Sequence, residues 1–134
     1  MTVAELRHDL VVLACGISAG IHGALVPGHF DEGTAAGLGF AAATLALAAL
    51  VVWLTRRPDS RPALAASAAA LGGLLFSYAV AVTNGLPVLH PQPEPVDGLA
   101  LATKAIEAVG LLAAASLLWP PLTVNILRTK GTTT

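Results

Sequence analysis

The chain has 134 residues, 55% of them hydrophobic and only 11% charged, with a mean hydropathy of +0.76. A soluble domain carries about 25% charged residues, and a chain this poor in them cannot cover its own surface, so a single integral membrane domain is expected. Seven Lys and Arg stand against eight Asp and Glu, which excludes a nucleic-acid binder; one Cys excludes a disulfide framework and any multi-Cys metal centre. High hydrophobicity with a net charge of −1 also excludes a disordered chain.

Alanine and leucine, at 27 and 23 residues, favour helices. A hydrocarbon core of about 30 Å needs roughly 20 apolar residues per helix. Four stretches meet that length, at about 10–26, 34–54, 63–84 and 98–119. The first is expected to stop at Pro27, and the fourth ends at Pro120-Pro121, because an interior proline removes a hydrogen bond and clashes with the preceding turn. A cleaved signal peptide, or a lipoprotein signal using Cys15, is the alternative for the first stretch. Glu5 and Asp9 stand where the positive region of such a signal belongs, so an uncleaved span is expected.

Loop charges give the orientation. Arg7, then Arg56, Arg57 and Arg61, then Arg128 and Lys130 flank one set of span ends, whereas the 27–33 and 85–97 loops carry no Lys or Arg. The positive-inside rule places both termini and the 55–62 loop in the cytoplasm of a multi-pass cell-membrane protein. Ser60, with Pro62 behind it, reads as the N-cap of span three, Asp97 as that of span four, and Asp31 or Thr34 as that of span two. Gly16 and Gly20 on span one, and Gly33 with Gly37 on span two, are one turn apart and suit close helix packing. The expected fold is all-α: an antiparallel four-helix transmembrane bundle in contact with lipid.

The scarce polar residues collect at the outer side. His22 sits about 6–8 Å inside the end of span one, and shares a helical face with Cys15 and Ser18. His29, Asp31 and Glu32 follow, and the second outer loop holds His90 and Glu94 among Pro87, Pro91, Pro93 and Pro95, a spacing that favours stiff, extended backbone. Three of the four histidines are therefore outer. His22, His29, His90 and Glu94 are candidate ligands for a transition metal or haem, since imidazole with carboxylate suits zinc, copper or iron. Each has a plainer role open to it: a histidine bonded to a nearby carbonyl or hydroxyl, or a polar residue on a solvated lid.

In span four, Lys104 and Glu107 are ionisable residues inside the membrane, and such residues need a partner. The i, i+3 spacing allows them to pair with each other. Lys104 can otherwise reach outward to the interface, and Glu107 can be protonated or hold a cation. Asp97, Lys104 and Glu107 fall on one inward-facing stripe.

The histidine pair His22 and His29, the Gly-Leu-Pro-x-x-His run from Gly85 to His90, and Glu107 in span four together resemble an uncharacterised family of small four-span membrane proteins from high-GC bacteria. The resemblance implies a four-span fold and these candidate site residues, and no activity. An acidic residue often precedes the second histidine in that pattern; this chain has Gly28 there.

Two main functions are open. One is a binding module for a metal or haem near the outer leaflet. The other is a structural or accessory subunit of a larger membrane complex, as a partner of another membrane protein or a homo-oligomer, with the uncharged second span packing laterally. A cation-coupled carrier using Lys104 and Glu107 would need several copies to enclose a pore. An enzyme has least support: there is no zinc-protease histidine pair, no phosphate loop and no Ser-His-Asp cluster, leaving only a metal-dependent reaction at the outer mouth.

Overall fold

The computed structural model describes residues 1–87 and 92–119. It consists of four helices, α1 (Val3–Glu32), α2 (Thr34–Arg56), α3 (Arg61–Thr83) and α4 (Gly98–Leu118), with no strand element among the described residues. All four are long and apolar enough to cross a membrane, which supports a multi-pass membrane protein. Large apolar side chains such as Leu13, Leu38, Leu45, Phe76 and Leu112 point away from the packed interior, as lipid contact requires.

Helix ends follow the side chains available to cap them. Thr2 and Glu5 form a capping box at the start of α1. Ser60 accepts from the Ala63 N–H at 3.3 Å, and Asp97 accepts from the Ala100 N–H at 2.7 Å, as the sequence leads one to expect. The start of α2 differs. Neither Asp31 nor Thr34 caps it: Gly33 is the only residue between α1 and α2, and it caps α2 with no side-chain bond. Its own N–H closes α1 by bonding the His29 carbonyl at 3.0 Å. Gly85, after α3, has φ 72°, a left-handed conformation that glycine adopts without a Cβ penalty. The Glu94 N–H bonds the Ala81 carbonyl at 3.0 Å and holds that residue against α3.

One boundary corrects the sequence reading: α1 does not stop at Pro27 but passes through it to Glu32. Proline there removes one bond, to the Gly23 carbonyl, and membrane helices tolerate such a loss when the rest of the turn is held. Here the Gly33 bond to His29 holds the last turn, and the Phe30 ring lies against Gly37 of α2, where a Cβ would collide with it. With α1 unbroken, His8, Cys15, His22 and His29 recur every seven residues along one side of a single helix.

Helix α1 packs on both α2 and α4, and α3 packs mainly on α4, while α2 and α3 touch each other little. The apolar core lies toward the end that carries the 57–60 turn, built from Val11, Cys15, Leu47, Leu54, Leu64 and Leu71. Gly110 of α4 allows a close helix approach: a Cβ there would overlap Ala14 of α1 and come within 2.9 Å of Leu71 Cδ1. Of the two glycines singled out on span one, Gly16 makes an ordinary contact, with its virtual Cβ 3.8 Å from Val51, and Gly20 faces open space. Close packing therefore falls to Gly110 and Gly37, and to Gly23, whose virtual Cβ is 3.2 Å from Thr44. The opposite end of the bundle is hollow.

Candidate functional site

The hollow end encloses a cavity of about 440 Å³ between all four helices. Four of the sequence-derived candidates line it: His22 and His29 from α1, Lys104 from α4, and Glu94 from the loop before α4. Glu107 lies beneath it, with none of its surface exposed. His90 falls outside the described residues. The remaining wall is mainly apolar, with Ile21, Leu25, Phe40, Leu74 and Leu86 among its side chains. An apolar cleft with a few convergent polar groups is the usual form of a small-molecule site.

The floor of the cavity is a hydrogen-bonded cluster. Ser18 Oγ on α1 donates to Glu107 Oε1 on α4 at 2.7 Å, and Lys104 Nζ donates to Glu107 Oε2 at 2.7 Å. Of the options open to Glu107 from sequence, the structure selects Lys104 as partner. Both carboxylate oxygens receive a donor, which is what a charge removed from water needs. The Lys104 ammonium also lies 5.5 Å above the centre of the Tyr78 ring, within cation–π range.

His22 is joined to the same cluster. Its Nδ1 is 2.9 Å from the Ser18 carbonyl and 3.3 Å from Ser18 Oγ. A carbonyl only accepts, so Nδ1 carries the proton, and in the neutral ring Nε2 carries the lone pair. His22 is 6% exposed and lines the cavity, so this basic nitrogen is held in a fixed ring orientation at the wall.

His29 is built differently. Its Nδ1 pairs with Glu32 Oε2 at 2.7 Å, one turn further along α1, and its ring stacks on Phe40 of α2 with centroids 3.6 Å apart. The His22 ring is 5.2 Å from the same Phe40. His22 is thus drawn back toward Ser18 and His29 forward toward Glu32, in opposite directions along the helix. Two imidazoles on one zinc need bonds of about 2.0–2.1 Å to a common point. Among the described residues no three His, Cys, Asp or Glu side chains form a group that could hold a metal ion. A shared cage of His22, His29 and Glu94 is therefore not supported there.

Two cavity residues escape a search for charged or metal-ligating residues. Phe40 stacks on the histidines, and Tyr78 carries a buried hydroxyl with no hydrogen-bond partner among the described residues. Their only sequence signal is that two of the chain's few aromatic residues lie in the halves of spans two and three nearest the polar loops. Ser18 is legible as a residue on the His22 face, but its bond to Glu107 requires knowing that α1 and α4 are neighbours.

Comparison with family models, with curated proteins and with solved structures finds no match to this chain.

Proposed function

We propose that the chain is a membrane-embedded binding protein whose cavity holds a small amphipathic molecule at the level of the outer leaflet. The observation that carries this reading is the cavity itself: about 440 Å³, mainly apolar, and lined by His22, His29, Glu94 and Lys104. Unused cavities in a bundle this small would cost packing energy. The Ser18–Glu107–Lys104 cluster fixes the floor, and His22 Nε2 and the Tyr78 hydroxyl supply directional contacts.

The orientation belongs to the same proposal. Connections as short as Gly33 and the 57–60 turn fit an antiparallel bundle, and the absence of Lys and Arg from residues 27–33 and 85–97 supports an extracytoplasmic cavity with both termini in the cytoplasm.

A second reading, haem or a single metal ligated by His22, draws support from the tautomer. Metal-bound histidines usually donate their other ring nitrogen to a carbonyl or carboxylate, as His22 does to Ser18. In that reading His90 supplies a further ligand.

One experiment separates these. Protein purified in mild detergent is extracted with organic solvent, and the same sample is examined for absorbance and metal content. A stoichiometric organic molecule supports the pocket reading, and a Soret band or one metal ion per chain supports the second. A colourless, metal-free and ligand-free protein that brings down a stoichiometric membrane partner would overturn both in favour of an accessory subunit.

A further inference from the structure

The donor and acceptor pattern of the cavity restricts what fills it. The inference rests on the binding reading above and narrows it to a chemical class. His22 presents a lone pair at Nε2, because its Nδ1 proton is committed to Ser18. A ligand group meeting it must donate. Tyr78 presents a buried hydroxyl with no partner among the described residues, and an orphaned buried hydroxyl is costly. A ligand oxygen beside it can accept that proton. Lys104 is already committed to Glu107 at 2.7 Å, so the floor offers no unpaired cation for an anionic head. A hydroxyl that donates to His22 and accepts from Tyr78 answers both groups with one atom type.

The walls restrict the rest of the molecule. Phe40 and Tyr78 face the same space from α2 and α3, and His29 is stacked on Phe40, so aromatic faces border the cavity. Helices α2 and α3 pack little against each other, and Phe40, Ala43, Leu74 and Tyr78 line the cavity along that seam. An apolar tail can leave there into the bilayer. We infer that the cavity takes a lipid-soluble phenol or hydroquinone, whose ring lies among Phe40 and Tyr78 and whose hydroxyl bonds His22 Nε2 and the Tyr78 hydroxyl.

The test compares a decyl-substituted hydroquinone with its dimethyl ether, and with dodecanol, for binding to the full chain in detergent. The ether keeps ring and tail but cannot donate; the alcohol keeps donor and tail but has no ring. The hydroquinone should bind at least about tenfold tighter than either, one to two hydrogen bonds converted to affinity. Tyr78→Phe should weaken the hydroquinone about fivefold and weaken the ether as well, since both keep an oxygen that accepts from Tyr78. His22→Ala should bring hydroquinone and ether within twofold of each other. Equal binding of hydroquinone and ether to the unmodified chain would overturn the inference, and equal binding of dodecanol would overturn its aromatic part. If the probes fail while another organic molecule is extracted from the pocket, the inference falls and the binding reading stands. If nothing binds and nothing is extracted, both fall.

Discussion

Ser18 on α1 and Glu107 on α4 are joined by a 2.7 Å hydrogen bond, with neither residue exposed at all. Through this contact one serine does two jobs. Its hydroxyl satisfies one oxygen of a buried carboxylate, and its carbonyl holds His22 in the tautomer that leaves Nε2 basic. The site is therefore assembled across the α1–α4 interface.

Ser18→Ala should destabilise the folded chain by about 1.5–3 kcal/mol, the range for a hydrogen bond to a charged group. Ser67→Ala is the comparison. Ser67 is equally buried, but its hydroxyl bonds the Ala63 carbonyl of its own helix, which keeps its helical bond without it, and its contact across to α1 is with the weakly hydrogen-bonding Cys15 thiol. Its loss should cost less than about 1 kcal/mol. Thermal or denaturant unfolding in detergent measures both, and equal losses would contradict the assignment.

Removing either half of the ion pair should be worse than removing both. Lys104→Met leaves the fully buried Glu107 without its ammonium partner, and Glu107→Leu leaves Lys104 without its carboxylate; each should cost about 3–5 kcal/mol. The double variant strands no charge and should recover at least half of that loss. Stability additive across the two changes would show that Lys104 and Glu107 are not coupled.

Gly110→Ala should open the α1–α4 contact. Its new Cβ meets Ala14 and Leu71, and overpacking of this kind costs about 1–3 kcal/mol. Gly20→Ala places a methyl in open space and should be neutral or stabilising by up to about 1 kcal/mol. Gly37→Ala meets the Phe30 ring from its Cγ outward, and because that ring is 43% exposed its displacement gives up less buried surface than at Gly110, so it should fall between the two. Unfolding midpoints in one detergent rank the three.

Topology is open to cysteine labelling with a membrane-impermeant maleimide. Cys15 is 0% exposed, so the unmodified chain should be silent. Val96→Cys should label in intact cells, and Asp59→Cys only after permeabilisation. The reverse pattern would place the cavity on the cytoplasmic side.

Much of this was legible in the residues themselves. Four apolar stretches become four helices, Ser60 and Asp97 cap where a cap is expected, and Lys104 pairs with Glu107 because three residues apart is one turn of helix. What escaped was whatever depends on a neighbour. Pro27 reads as a stop from local chemistry, yet the helix survives through the His29–Gly33 bond and the Phe30–Gly37 contact. Gly110 looks like any glycine in an alanine-rich span until Ala14 is opposite it. His22 and His29 share a face and a cavity, but Ser18 and Glu32 turn their rings apart, and a spacing of seven residues carries no information about where a ring is held.

The central claim is that the cavity is occupied by a ligand, and native mass spectrometry from mild detergent tests it most directly. Ala43→Phe should fill the α2 wall of the cavity, whereas Ala105→Phe adds the same bulk to an apolar groove between α1 and α4 away from the cavity. The unmodified chain and Ala105→Phe should each carry one small-molecule adduct, and Ala43→Phe should carry none. An adduct that persists on Ala43→Phe, or a bare mass for all three, would contradict the account.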